Sequence, residues 1–367
     1  IVLISSIASD TNVCNDLIGI ILQKFNYFNI QKFKLKKSIM ILKKILKKIL
    51  IILNRLSGYE IIDQNEFSFP SLRNKRFNDL STINEKSIVL PLGEVTITRK
   101  VKSLGIIVRT NSNIHISDQN KKRIFNGDKV DYIEKSLQSL VISIKSFKKK
   151  FKDFKINLTI VDQSNDETVL KKFNKIFLEL DFKVEIIPFN KDEYKNEINL
   201  DYNKDVFGNL SSLLKCFNIA KNNSDDLTLF LEDDYLHKES LIEEMTLTYE
   251  RVSSQIKKEL LLVPADYPYL YMSERLTNIL AGSHRHWQTL DKVLCSFMTS
   301  KEIINLYWDN FLLTCQNHNN PIEKYLNEIC KQEICLSPIP SLSIHMANSN
   351  SIFGIPPYID IKKEWSK

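Results

Sequence analysis

From residue 101 onward, short apolar runs alternate with longer amphipathic stretches, and this alternation limits the possible folds more than any other feature of the chain. The runs at 104–108, 156–161, 183–187 and 227–231 are rich in β-branched and aromatic residues. Between them, 132–151, 167–180 and 207–221 repeat apolar residues at helical spacing. Strands without polar alternation, separated by helices, predict an α/β fold: a mainly parallel central sheet flanked by helices on both faces. Ligands of such sheets bind at the carboxyl ends of the strands. The residues just after each apolar run are therefore the ones to weigh.

The first run ends in Arg109-Thr110-Asn111-Ser112, polar groups suited to a nucleotide base or phosphate. The second ends in Asp162-Gln163-Ser164, where a carboxylate can accept from a ribose hydroxyl or a base N–H. The fourth ends in Glu232-Asp233-Asp234. Clustered acids raise one another's pKa unless a cation neutralises them. Hard divalent ions such as Mg²⁺ or Mn²⁺ take this ligand type, and a solvated loop before a helix near Ser240 is the alternative. A further strand at 260–263 leads to Asp266, flanked by Pro264 and Pro268, which stiffen the loop. Downstream, Gly282-Ser283-His284-Arg285-His286-Trp287 is dense in recognition chemistry. Arg285 suits a diphosphate or an anionic acceptor, Trp287 suits a sugar ring, and His284 and His286 would share one face of a strand. Plain structural packing is the competing account of this set.

Taken in order, these segments resemble glycosyltransferases of the GT-A fold, in the style of the large family 2 group. The resemblance rests on GIIVRTNSN, INLTIVDQSND, LTLFLEDDYL in place of a DxD motif, and PIEKYLNEIC followed by PSLSIH. It implies a GT-A domain with a Rossmann-like nucleotide-binding half and an acceptor half. It further implies a UDP-type nucleotide-sugar donor, Mn²⁺ or Mg²⁺, and inverting transfer to a hydroxyl of a glycan, lipid-linked or other cell-surface acceptor. Carried onto this chain, Arg109, Thr110 and Asp162 would hold the nucleotide, Asp162 at the uracil or ribose. Glu232 would face the ribose, Asp233 or Asp234 would bind the metal, with Asp234 favoured as the last acid, and His345 would complete the coordination. The family's acceptor helix opens on Glu-Asp, whereas this chain reads Glu323-Lys324. The base is thus Glu323 or Asp266. A sugar nucleotidyltransferase of similar fold is the rival enzyme, although 109–112 lacks its Gly-rich basic loop. A membrane-docked interaction protein with a decayed site is the non-enzymatic rival.

Charge separates the body from what precedes it. The whole chain has 51 Lys+Arg against 44 Asp+Glu, a net +7. Residues 31–56 hold nine cations and no acid, residues 1–30 sum to −1, and the remaining body to −1. A near-neutral body gives no support to a nucleic-acid-binding face, and nucleic acid is not an expected partner. Within 38–56, Leu42, Ile45, Leu46, Ile49, Leu53 and Leu56 recur at helical spacing with lysines opposite. That pattern predicts an in-plane helix on an anionic membrane surface, and a helix packed on the body is the alternative. No uncharged apolar run is long enough to span a bilayer. Six scattered cysteines without a CxxC pair read as reduced thiols. The expected location is cytoplasmic, peripheral on the inner face of the membrane. The expected organisation is an α-helical N-terminal region (1–62), a linker or small subdomain (63–100), the GT-A domain (101–355) and a tail (356–367).

Overall fold

The computed structural model describes residues 32–58, 96–112, 125, 127–163, 166–198, 204–316, 319–346 and 351–366. Most of the expected linker or subdomain (63–100) lies outside them. The chain divides into two compact units, Ile1–Gln64 and Asn65–Lys367.

In the first unit, α1 (Lys32–Leu56) contains the expected amphipathic segment and begins six residues earlier. Leu42, Ile45, Leu46, Ile49, Leu53 and Leu56 are all exposed along it. The Ser57 N–H donates to the carbonyls of Leu53 and Asn54. Gly58 then turns to φ 85°, a left-handed conformation that ends a helix and suits glycine. Among the described residues, no helix is long and apolar enough to cross a membrane.

The second unit is built on a nine-stranded sheet. Its first half comprises β1 (Ser103–Thr110), β2 (Lys155–Asp162), β3 (Glu185–Pro188) and β4 (Leu227–Glu232). These four are mutually parallel, in the order β3-β2-β1-β4. The sheet continues through β9 (Phe297–Ser300), β6 (Leu260–Leu262), β10 (Ile334–Ile339), β8 (His286–Leu290) and β7 (Ile279–Ala281). Strand β9 runs antiparallel to both β4 and β6, while β6 and β10 are parallel to each other. Only β8 and β9 oppose the common direction, so the sheet is mainly parallel, as expected. The carboxyl ends of β1, β2, β4, β6 and β10 consequently share one edge.

The two faces of the sheet carry separate cores. Leu104, Ile106 and Val108 of β1 join Leu158, Ile160, Leu229 and Leu231 beneath α2 (Lys129–Lys150), α3 (Glu167–Phe177) and α5 (Leu241–Ile256). Ile107, Val161 and Phe230 point the other way. They meet α4 (Lys204–Asn222), α6 (Lys301–Leu306), α7 (Trp308–Gln316) and α8 (Lys324–Gln332). Successive strand residues alternate between faces, so a strand covered on both sides must be apolar throughout. That is why these runs were legible as strands.

The approach to β1 and the C-terminal helix are both tied to the body. Arg99 bridges Asp226 at 2.7 Å and Glu259 at 2.7 Å, fixing the approach to β1. The expected tail ends in α9 (Ile361–Trp365), whose Trp365 ring stacks on Phe125 at 4.4 Å and lies 4.8 Å from Tyr132 of α2. Residues 361–365 are thus part of the fold and no free appendage. Separately, β5 (Tyr235–His237) pairs with β11 (Ser343–His345) in a two-stranded ribbon that sets His345 opposite Tyr235. Strands of three or four residues, such as β5, β7, β9 and β11, are too short for their period to be read from sequence.

Candidate active site

The acidic triplet at the end of β4 is resolved by three cations from three different elements. Arg109, beside Glu232 in the β1–β4 register, forms an ion pair with Glu232 and also donates to the side chain of Asn209. Burial opposes the guanidinium's charge, but the Glu232 carboxylate more than offsets this, and the Arg109 pKa is raised. Asp233 is buried and accepts from Lys129 Nζ at 2.7 Å and from the Asn111 N–H at 2.9 Å. Desolvation nevertheless raises the Asp233 pKa, Lys129 opposing and Asp234 assisting. Asp234 meets His345, with Nε2 3.2 Å from its Oδ2. Lys129 was not anticipated. It is the first residue of α2, where the helix dipole disfavours a cation, so a lysine there is itself a signal that a carboxylate sits nearby.

The Asp234–His345 contact spans 111 positions of sequence and depends on the β5–β11 ribbon, reinforced by the Met346 N–H donating to the Asp234 carbonyl at 2.8 Å. The His345 Nδ1–H donates to the Phe353 carbonyl at 2.9 Å, which leaves Nε2 aimed at the carboxylate. Burial works against the imidazolium, but Asp234 outweighs it and the His345 pKa is raised. A proton on Nε2 and a divalent cation are alternative ways to join these two groups. Adjacent ligands of an octahedral ion with bonds of about 2.1 Å lie roughly 3 Å apart. The separation of 3.2 Å and the outer hydrogen bond that orients the ring therefore suit such an ion. Among the described residues no cluster of three or more His, Cys, Asp or Glu side chains suited to a metal is present. Among the described residues Asp234 and His345 are thus two candidate ligands, a number that suits Mg²⁺-type sites in which substrate phosphates and water supply the rest.

At the end of β2, Asp162 is fully buried and its Oδ1 accepts from the Thr110 hydroxyl at 2.7 Å. Gly208 in α4 lets this corner close, since a Cβ there would lie 2.3 Å from Gln163 Nε2. Asp162, Thr110, the acidic triplet and His345 thus gather along one edge of the sheet.

The two candidate bases sit differently. Glu323, just ahead of α8, accepts from the Cys295 thiol at 3.5 Å. Burial and then the nearby Glu232 push its carboxyl pKa up, with Arg109 opposing. Asp266 follows β6 and receives the Tyr271 hydroxyl at 2.7 and 2.9 Å and Gln288 Nε2 at 3.0 Å. Burial pushes its carboxyl up to about 6, the hydrogen bonds opposing. Tyr271 and Gln288 lie outside any motif and carried no sequence signal.

The segment 282–287 is disassembled by the structure. Trp287 is 0 % exposed, packed in the core where a Cβ on Gly282 would come within 2.4 Å of it, so it presents no ring to a sugar. Arg285 is already paired with Glu244 at 2.6 Å and donates to the Pro340 carbonyl at 2.6 Å, so the expected diphosphate contact is replaced by a tie to α5. His284 and His286 are exposed, but His284 lies in the turn before β8, so the two do not share a strand face.

No family model matches the chain, and no curated protein matches it. Solved structures similar to it include Staphylococcus aureus TarS residues 1–349, at 11% identity over 64% of this chain and 57% of that one, with a TM-score of 0.36. The galactosyltransferase LgtC, solved with donor and acceptor sugar analogs, is 11% identical over 63% of this chain and 72% of that one, with a TM-score of 0.31. A UDP-glucose pyrophosphorylase solved with UDP-glucose is 8% identical over 64% of this chain and 90% of that one, with a TM-score of 0.34. The chain thus spans little more than half the length of the TarS fragment.

The Asp266 environment makes a stability prediction. Its folded pKa of about 6 exceeds the ordinary 3.8, so the native state binds a proton that the unfolded chain has released. Stability from this group is full below about pH 4, falls between pH 4 and 6, and stays lower above. Asp266→Asn should therefore stabilise the fold at pH 7.5 by up to about 3 kcal/mol, seen as a higher Tm, and leave Tm unchanged near pH 4. Thermal denaturation of the two proteins across that range checks the difference.

Proposed function

We propose that this chain is a metal-dependent, inverting glycosyltransferase of the GT-A type that uses a nucleoside-diphosphate sugar. The observation that carries the reading is the Asp234–His345 pair, held by β11 and Phe353 at the separation of adjacent ligands on the ligand edge of the sheet. Asp162, oriented by Thr110, and the backbone around Asn111 would receive the nucleoside. Asp234 and His345 would hold Mn²⁺ or Mg²⁺ against the diphosphate. When bound, the ion offsets the charge that develops on the departing diphosphate.

Lys129 keeps Asp233 from repelling the donor, and Arg109 does the same for Glu232. Asp266 is the favoured proton acceptor for the attacking hydroxyl. It follows β6, two strands from β4 across β9, a lateral distance of roughly 10 Å that leaves room for a sugar between leaving group and base. A carboxyl near 6 is ionised at neutral pH yet basic enough to receive a proton in the transition state. Glu323 lies instead against Cys295 and the Glu232 pair.

Thermal shift with UDP and Mn²⁺ tests the donor site. UDP with Mn²⁺ should stabilise the wild type more than either alone, reaching about 2.7 kcal/mol over the ligand-free protein at 100 times Kd. Asp234→Ala and His345→Ala should each abolish the metal-dependent part. Equal shifts with and without Mn²⁺ would count against the metal.

For α1 the proposed partner is an anionic membrane surface. Its apolar residues at 42, 45, 46, 49, 53 and 56 are exposed, and residues 31–56 carry nine cations without a single acid. Exposed apolar surface explains insertion at the acyl boundary, and the absence of acids explains a preference for anionic headgroups. Flotation of the full chain with 3:1 phosphatidylcholine–phosphatidylglycerol vesicles should recover the protein, and pure phosphatidylcholine should not. At about 1 kcal/mol per cation, Lys43→Glu/Lys47→Glu/Lys48→Glu should weaken recovery by at least about 10²-fold in affinity. Recovery independent of lipid charge, or self-association lost in Leu46→Asp, would assign the face to another occupant.

A further inference from the structure

Asp266 is 1 % exposed, whereas Tyr271 is 48 % exposed and its hydroxyl covers both carboxylate oxygens. The carboxylate is fixed from behind: Gln288 Nε2 donates to Oδ1, and the Asp266 N–H donates to the Ser341 hydroxyl at 2.8 Å. Gln288 Nε2 also lies 3.2 Å from the Tyr271 hydroxyl oxygen. That oxygen donates its proton to Asp266 and receives Gln288 on one lone pair. Its second lone pair can accept from an incoming hydroxyl. The neighbouring Tyr267 hydroxyl lies 2.6 Å from that of Tyr235, whose ring stacks on His345 at 4.8 Å. One hydrogen bond and one ring stack therefore connect Tyr267, next to Asp266, to the Asp234–His345 pair.

We propose that Tyr271 is a catalytic residue that passes the acceptor's proton to Asp266. The inference rests on the transferase reading and adds the route of the proton. An acceptor hydroxyl donates to Tyr271 Oη, and as its oxygen bonds to the anomeric carbon its proton moves to Oη. The proton already on Oη moves to Asp266. The bond from the anomeric carbon to the diphosphate breaks, and its electron pair leaves with the nucleoside diphosphate. Tyr271 ends neutral and Asp266 protonated, so charge and protons balance. Burial and the Asp266 hydrogen bond raise the pKa of the phenol, which keeps its proton in the resting state and suits a relay.

The test compares wild type, Tyr271→Phe, Asp266→Asn and the double variant. The probes are UDP-glucose, UDP-galactose and UDP-N-acetylglucosamine with Mn²⁺, water serves as acceptor, and UDP release is the rate measured. Each single substitution should lower the rate by about 10²-fold. The double variant should be no slower than the slower single one, because one relay is broken either way. The thermal shift with UDP and Mn²⁺ should be unchanged in all three, which shows that the donor site is intact. Wild-type turnover in Tyr271→Phe, or losses that multiply in the double variant, would overturn the relay alone. A wild type that releases no UDP from any of the three donors would overturn the transferase reading and the relay with it.

Discussion

Three carboxylates in succession at the end of a buried strand repel one another and lose solvation, and the rest of the site follows from how that cost is met. Burial of an unpaired ionised group is far more costly than any single contact can offset, so each acid requires its own cation. Arg109 comes from β1, Lys129 from the first turn of α2, and His345 from β11. Two of these partners carry a permanent charge. The third is a titratable imidazole that can be a metal ligand instead. Glu232 and Asp233 are thereby tied into the fold, and Asp234 is the acid whose partner can change.

That arrangement depends on chain topology beyond the main sheet. Without the β5–β11 ribbon, His345 would have no reason to approach Asp234, from which it is 111 residues distant. Tyr235, opposite His345 in the ribbon, stacks on the imidazole, and the Phe353 carbonyl accepts from Nδ1, fixing its plane and its tautomer. On the far side of β9, the same sheet edge carries Asp266 under the Tyr271 hydroxyl. The Asp234–His345 pair and the Asp266–Tyr271 pair therefore sit on different parts of one sheet edge, a general advantage when reacting groups must be held within fractions of an ångström.

Much of this was legible in the sequence, for identifiable reasons. β1, β2 and β4 are buried on both faces and had to be written as uninterrupted apolar runs, which fixed where their ends fall. Asp162, Asp233 and Asp234 were therefore found by position alone. Their partners were not read from position: His345 came only through the family resemblance, and Lys129 reaches Asp233 through a tertiary contact. Trp287 was misleading: beside His286 and Arg285 it looks like recognition, but Gly282, five residues earlier, opens a core slot for its ring. Arg285 failed for a related reason, since the carboxylate that engages it belongs to α5 and is 41 residues away in sequence. Tyr271 lies in a short 3₁₀ turn whose only sequence cue is a proline, Pro268.

The central claim is that Asp234 and His345 together hold a divalent ion against a nucleoside diphosphate. Pulsed electron paramagnetic resonance of the Mn²⁺–UDP complex addresses it directly, because an imidazole bound to Mn²⁺ imprints a nitrogen coupling on the metal's spin echo. The account predicts that coupling in the wild-type complex and its loss in His345→Gln. A Mn²⁺–UDP complex that forms without any nitrogen coupling would contradict it.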